Sequence, residues 1–166
     1  MIDLSNWIHT TVGGVHVFAS FVGLATGAWV IAGKKGTRLH KCMGYTFAGA
    51  LLLVNGSAMF IYGFNQGSPS VFHLLVPVSL FFLAFGLYPM LFGNKSISLN
   101  RHIIGMTAAV YGLYAAGATE FFVREMAQGL GPEQLILFSF MISVPFAVAI
   151  TVSIIYFQKK FVRKPR

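Results

Sequence analysis

Five apolar runs, each about 20 residues long and parted by short links, dominate this chain and leave it little choice of fold. Each run is long enough to cross the roughly 30 Å hydrocarbon core of a bilayer as a helix. In lipid, only a helix or a closed barrel satisfies its own backbone polar groups. The sequence therefore predicts an all-α integral membrane protein of five transmembrane helices. Composition agrees: only 10% of the 166 residues are charged and the mean hydropathy is +0.73. A soluble domain carries about 25% charged residues.

The predicted spans cover about 12–32, 43–64, 71–92, 102–123 and 135–157, a single transmembrane domain over 1–166. Short connections make sequential helices antiparallel neighbours, so the expected architecture is a four-helix up-and-down core with a peripheral fifth helix. Pro77 and Pro89 in the third span predict a bend there, and Pro145 lies inside the fifth. Asn65-Gln66-Gly67-Ser68-Pro69 reads as a turn. The first span is expected to be retained rather than cleaved as a leader, because Asp3 is the only charge before Lys34 and no basic stretch precedes the apolar run.

The net charge of +8 does not point to nucleic acid, because its placement follows the membrane. Lys34, Lys35, Arg38 and Lys41 lie between spans one and two. Lys95 and Arg101 lie between spans three and four, and Lys159, Lys160, Arg163, Lys164 and Arg166 follow span five. Alternation puts these eleven of the twelve basic residues on one side, with only Arg124 opposite. The positive-inside bias then predicts an inner or plasma membrane protein with its N-terminus outside and its C-terminus in the cytoplasm. Anionic lipid beside the basic tail is the natural electrostatic partner. Cys42 stands alone, which excludes an intramolecular disulfide.

Small residues mark two packing seams. His9, Gly13, His16, Ser20, Gly23 and Gly27 fall on one face of span one. His102, Gly105, Ala109, Gly112, Ala116 and Glu120 fall on one face of span four. Such stripes let helices approach closely where lipid offers no hydrophobic drive to pack. Packing does not call for the histidines on them.

Polar groups at membrane depth are costly and commonly functional. The predicted orientation places His9, His16 and His73 toward the outer side, and His40 and His102 at the cytoplasmic starts of spans two and four. From His16 to the inner boundary is a drop of roughly 25 Å, so these would be two separate sites. Imidazole offers a neutral nitrogen to a metal. Two histidines from facing helices can clamp an iron porphyrin, with Gly and Ala beside them making room for the ring. The expectation is one or two b-type hemes, His16 with His73 outside and His40 with His102 inside. Electrons would then pass between a quinol, or another redox subunit, and an outer acceptor. His9, the shallowest, reads as interfacial.

Two further readings stand beside that one. His16, His73 and Glu120 offer N/O ligands for zinc or copper at the outer face. Alternatively the histidines are polar ties between the helices of a non-catalytic membrane subunit or scaffold. Glu120 lies about 27 Å along its helix from His102. It also has Arg124 four residues on, a spacing suited to an ion pair. Cys42 and Met106 are soft side chains near the inner histidines, although core packing accounts for both. The sequence contains no HExxH, GxSxG, CxxC or phosphate-binding glycine loop.

The residues around these histidines resemble a bacterial family of small polytopic membrane proteins of unknown function. The likeness runs from about Val12 to Val123. Its most specific piece is Lys35-Gly36-Thr37-Arg38-Leu39-His40-Lys41-Cys42-Met43-Gly44, continued by Ser70-Val71-Phe72-His73-Leu74-Leu75 and Asn100-Arg101-His102-Ile103-Ile104-Gly105-Met106. That resemblance implies His16, His40, His73 and His102 as the family's histidines and leaves out His9. More distantly, the layout is similar to the four-helix core of diheme transmembrane cytochromes b of the ascorbate-reducible group. It departs from them in setting His40 and His102 at, or just outside, the predicted inner boundary.

Overall fold

The side chain of Thr10 accepts the amide of Gly13 at 3.1 Å, and from Thr11 to Ala32 the chain is helical (α1). A hydroxyl at this position satisfies one of the donors that a helix start leaves open. In the computed structural model, residues 7–8, 10–62, 70–92, 95–127 and 129–162 are described. His9, the Asn65–Pro69 turn, and Arg163, Lys164 and Arg166 of the basic tail lie outside them.

Helix α1 ends where Gly33 N–H returns to Trp29 O at 2.7 Å. Lys35 ties off the same turn, its Nζ donating to Val30 O (2.7 Å), to Gly33 O (3.3 Å) and to Ile31 O. Gly36 then turns the chain at φ 78°, a left-handed conformation that glycine adopts without strain. Thr37 caps the second helix by accepting from His40 N–H at 3.1 Å, so α2 runs Arg38–Ala58.

Predicted span two, at 43–64, is therefore displaced toward the N-terminus. The threonine cap starts the helix five residues early. At the other end, Asn55 and Ser57 bond carbonyls of their own helix, and Phe60 N–H and Ile61 N–H close three-residue bonds to Ser57 O and Ala58 O. Such tightened turns end a helix.

Three further helices follow, α3 (Val71–Phe92), α4 (Lys95–Glu125) and α5 (Pro132–Phe161). Proline at the first position of α5 forgoes an amide that would have no partner there. Pro77 and Pro89 lie within α3, and Pro145 within α5, without dividing either helix. Helix α4 begins seven residues before the predicted span, so His102 sits in its third turn rather than at its start.

Among the described residues the fold is five helices with no strand. Helix α1, α3 from Phe72, and α5 from Glu133 are long and apolar enough to cross a membrane. Helices α2 and α4 are more polar, carrying Arg38, His40, Lys41 and Asn55 on the one and Asn100, Arg101, His102, Glu120 and Arg124 on the other.

The chain forms two compact units, Met1–Ser79 and Leu80–Arg166. In the first, α1 packs along α2. Gly13, Gly23 and Gly27 of the predicted seam are buried together with Ala19 and Val30. On α2, Phe47 and Leu51 are buried, and Asn55 donates to Leu51 O (2.7 Å) and to Ser79 Oγ (3.0 Å), two turns into α3.

In the second unit, α4 packs on α5. Two polar links join them, Tyr111 OH with Ser153 Oγ at 3.1 Å and Gln158 Nε2 donating to Asn100 Oδ1 at 2.7 Å. Elsewhere α5 is largely exposed. The α4 seam holds over its first half, where Gly105 and Ala109 are buried, and lapses at Gly112, which is exposed. Gly105 meets Gly86 of α3 main chain to main chain: a Cβ on Gly105 would lie 2.6 Å from Gly86 Cα and 2.7 Å from Phe82 O.

Candidate functional site: the histidines

Four of the five histidines are described, together with Glu120. His16, His40 and His73 belong to the first unit, and His102 and Glu120 to the second.

His16 lies on the buried seam of α1 and reaches α2. Its Nδ1 is 3.2 Å from Val54 O and 3.0 Å from Ser57 Oγ. The Ser57 hydroxyl donates to Leu53 O at 2.6 Å, and Val54 O can only accept. Both facts assign the proton to Nδ1. The imidazole therefore donates across the helix pair and carries its lone pair on Nε2.

His102 repeats this arrangement in the other unit. Its Nδ1 donates to Gly86 O of α3 at 3.0 Å, one turn from the Gly86–Gly105 contact. The close approach of the two main chains brings that carbonyl within reach of the ring. Here too the lone pair falls on Nε2.

His73 is the reverse case. It stands in the first turn of α3, where its Nδ1 accepts the amide of Ser70 at 3.0 Å, with Ser70 Oγ at 3.1 Å. Its own amide returns to Ser70 O at 3.0 Å. The third-residue side chain thus holds the amide of Ser70, one half of a capping box, while the return bond is main chain to main chain. An imidazole whose Nδ1 accepts carries its proton on Nε2. That nitrogen is buried without a hydrogen-bond partner, and the ring stacks on Tyr62 at 5.0 Å and 23°.

His40, half-buried in the first turn of α2, gives its backbone amide to Thr37. Glu120 is engaged by Arg124, with Arg124 Nε at 2.9 Å and Nη2 at 2.8 Å from Oε1. Among the described residues, no three His, Cys, Asp or Glu side chains are grouped to hold one metal ion. Of the soft side chains, Cys42 is exposed on α2 and Met106 is buried on α4.

A histidine that ligates a metal through Nε2 would donate its Nδ1–H to a carbonyl or carboxylate. His16 and His102 carry that arrangement. For His73, capping and ligation compete: while Ser70 N–H occupies Nδ1, the proton sits on the iron-binding nitrogen. His73 would have to give up the Ser70 cap, or its Nε2 proton, to ligate through Nε2. The partner carbonyls on α2 and α3, and the Ser70 cap, are what sequence reading missed. The sequence signal for the cap was present, since Ser70 stands three residues before His73 at a helix start.

Compared with protein-family models, curated proteins and solved structures, the chain matches none of them.

Proposed function

We propose that this chain is a membrane-embedded helical subunit without chemistry of its own, all five helices crossing the bilayer. In this reading its membrane-depth polar residues tie the helices together. The observation that carries it is that His16 and His102 each bond a main-chain carbonyl of a neighbouring helix, while His73 and Glu120 are engaged locally on their own helices. His16 bonds α1 to α2, His102 bonds α4 to α3, His73 caps α3, and Glu120 pairs with Arg124. Polar side chains are a recognised glue between membrane helices.

A double-mutant cycle tests this assignment. His16→Ala and Ser57→Ala, measured singly and together by unfolding in detergent, are expected to couple by about 0.6–1.7 kcal/mol. Additive losses would remove the tie. Under this reading neither variant alters any optical spectrum.

The redox reading keeps one specific support, the hydrogen bonds from Nδ1 of His16 and His102 to main-chain carbonyls of a neighbouring helix. In that reading a b-type heme would supply one-electron chemistry, with His16 or His102 holding the iron and its helix neighbour orienting the ring. A quinol or a second redox subunit would complete the path. The spectrum of detergent-purified protein with and without dithionite separates the two. A Soret band lost in His16→Ala or His102→Ala establishes the redox reading and ends the scaffold reading.

A further inference from the structure

The turn between α1 and α2 concentrates positive charge that nearby sequence leaves uncompensated. Lys34, Lys35, Arg38 and Lys41 fall within eight residues. The whole chain has four carboxylates, Asp3, Glu120, Glu125 and Glu133, and none occurs between residues 4 and 119. Lys35 is committed to the carbonyls that end α1. Lys34, Arg38 and Lys41 are exposed.

Aromatic residues mark the depth at which these cations stand. Trp29 and Tyr45 flank the turn at 49% and 57% exposure. The Trp29 indole folds over Gly33, its Nε1 3.0 Å from where a Cβ on that residue would sit. An exposed tryptophan near the end of an apolar helix, as Trp29 is on α1, occupies the level of lipid headgroups. Helix α1 is apolar over its length, and the cations begin one turn beyond Trp29. The anions available at that depth are the phosphates of the membrane itself. An acidic protein segment would answer the charge but not the aromatic belt.

We propose that the α1–α2 turn is a binding surface for anionic phospholipid headgroups, with Lys34, Arg38 and Lys41 engaging the phosphate and Trp29 lying beside the lipid. The proposal rests on α1 being embedded in a bilayer and is independent of what the histidines do.

The full chain carrying Trp7→Phe keeps Trp29 as its one tryptophan. Reconstituted in phosphatidylcholine vesicles, it is probed with brominated phosphatidylglycerol or, at the same mole fraction, brominated phosphatidylcholine. The anionic quencher is expected to act severalfold more strongly. Neutralising Lys34, Arg38 or Lys41 to glutamine should lower that preference by up to about fivefold per charge. K34Q/R38Q/K41Q should abolish it, while K34R/R38K/K41R and, as a control elsewhere, K159Q/K160Q should retain it. If the triple variant fails to insert, R38Q alone carries the comparison.

Equal quenching by the two lipids overturns the proposal, as does a preference that survives neutralisation. Inorganic phosphate that relieves quenching more than chloride of equal ionic strength overturns it in favour of a free-anion site. A Trp29 that no brominated lipid quenches overturns both the headgroup surface and the embedding of α1.

Discussion

Gly105→Ala is expected to destabilise the protein by about 3 kcal/mol, the upper end of what overpacking costs. The new Cβ would lie 2.6 Å from Gly86 Cα and 2.7 Å from Phe82 O. Both obstacles are main chain, so no rotamer change relieves the clash and α3 must move away from α4. The same displacement lengthens the bond from His102 Nδ1 to Gly86 O, now 3.0 Å. Reversible unfolding in detergent measures the effect. Gly112→Ala is the internal control, because nothing lies within 4 Å of a Cβ built there. It should be neutral or slightly stabilising, as alanine favours helix over glycine. Equal behaviour of the two variants would show that the glycine contact does not hold these helices together.

Phe47→Ala is expected to cost about 3–5 kcal/mol, through lost contacts and the cavity left behind. Phe47 is 0% exposed, the largest of the fully buried side chains. Phe60, just past the end of α2, is 74% exposed, and Phe60→Ala should change stability by under about 0.5 kcal/mol. The pair separates burial from hydrophobicity, since the residue removed is the same. A loss below about 1 kcal/mol at Phe47 would mean that the α2 face carrying it is not a packed core.

The helical class and the number of helices could be read from the apolar runs, because a period of about 20 residues admits few other structures. The helix limits could not. Hydropathy sees neither Thr37, whose hydroxyl starts α2 at Arg38, nor the polar turns that carry α4 back to Lys95. The α1 seam was legible from its glycines, which are buried as their spacing requires. The α4 seam was legible only to Ala109, because a stripe of small residues cannot reveal where the neighbouring helix stops.

The histidines show a sharper limit. Sequence places an imidazole at a depth and on a face, yet its chemistry depends on which nitrogen holds the proton. That is decided by Val54 O, Gly86 O and the Ser70 amide, main-chain groups that every residue shares and no motif spells out. Glu120 was easier, since its partner Arg124 lies on the same helix four residues away.

Where α4 touches the second half of α3, no layer of rotatable side chains separates the two backbones. Helices packed through interdigitating side chains can slide a little by exchanging rotamers; this pair has no such bearing at Gly86 and Gly105. Any sliding of one helix past the other would have to move main chain against main chain there.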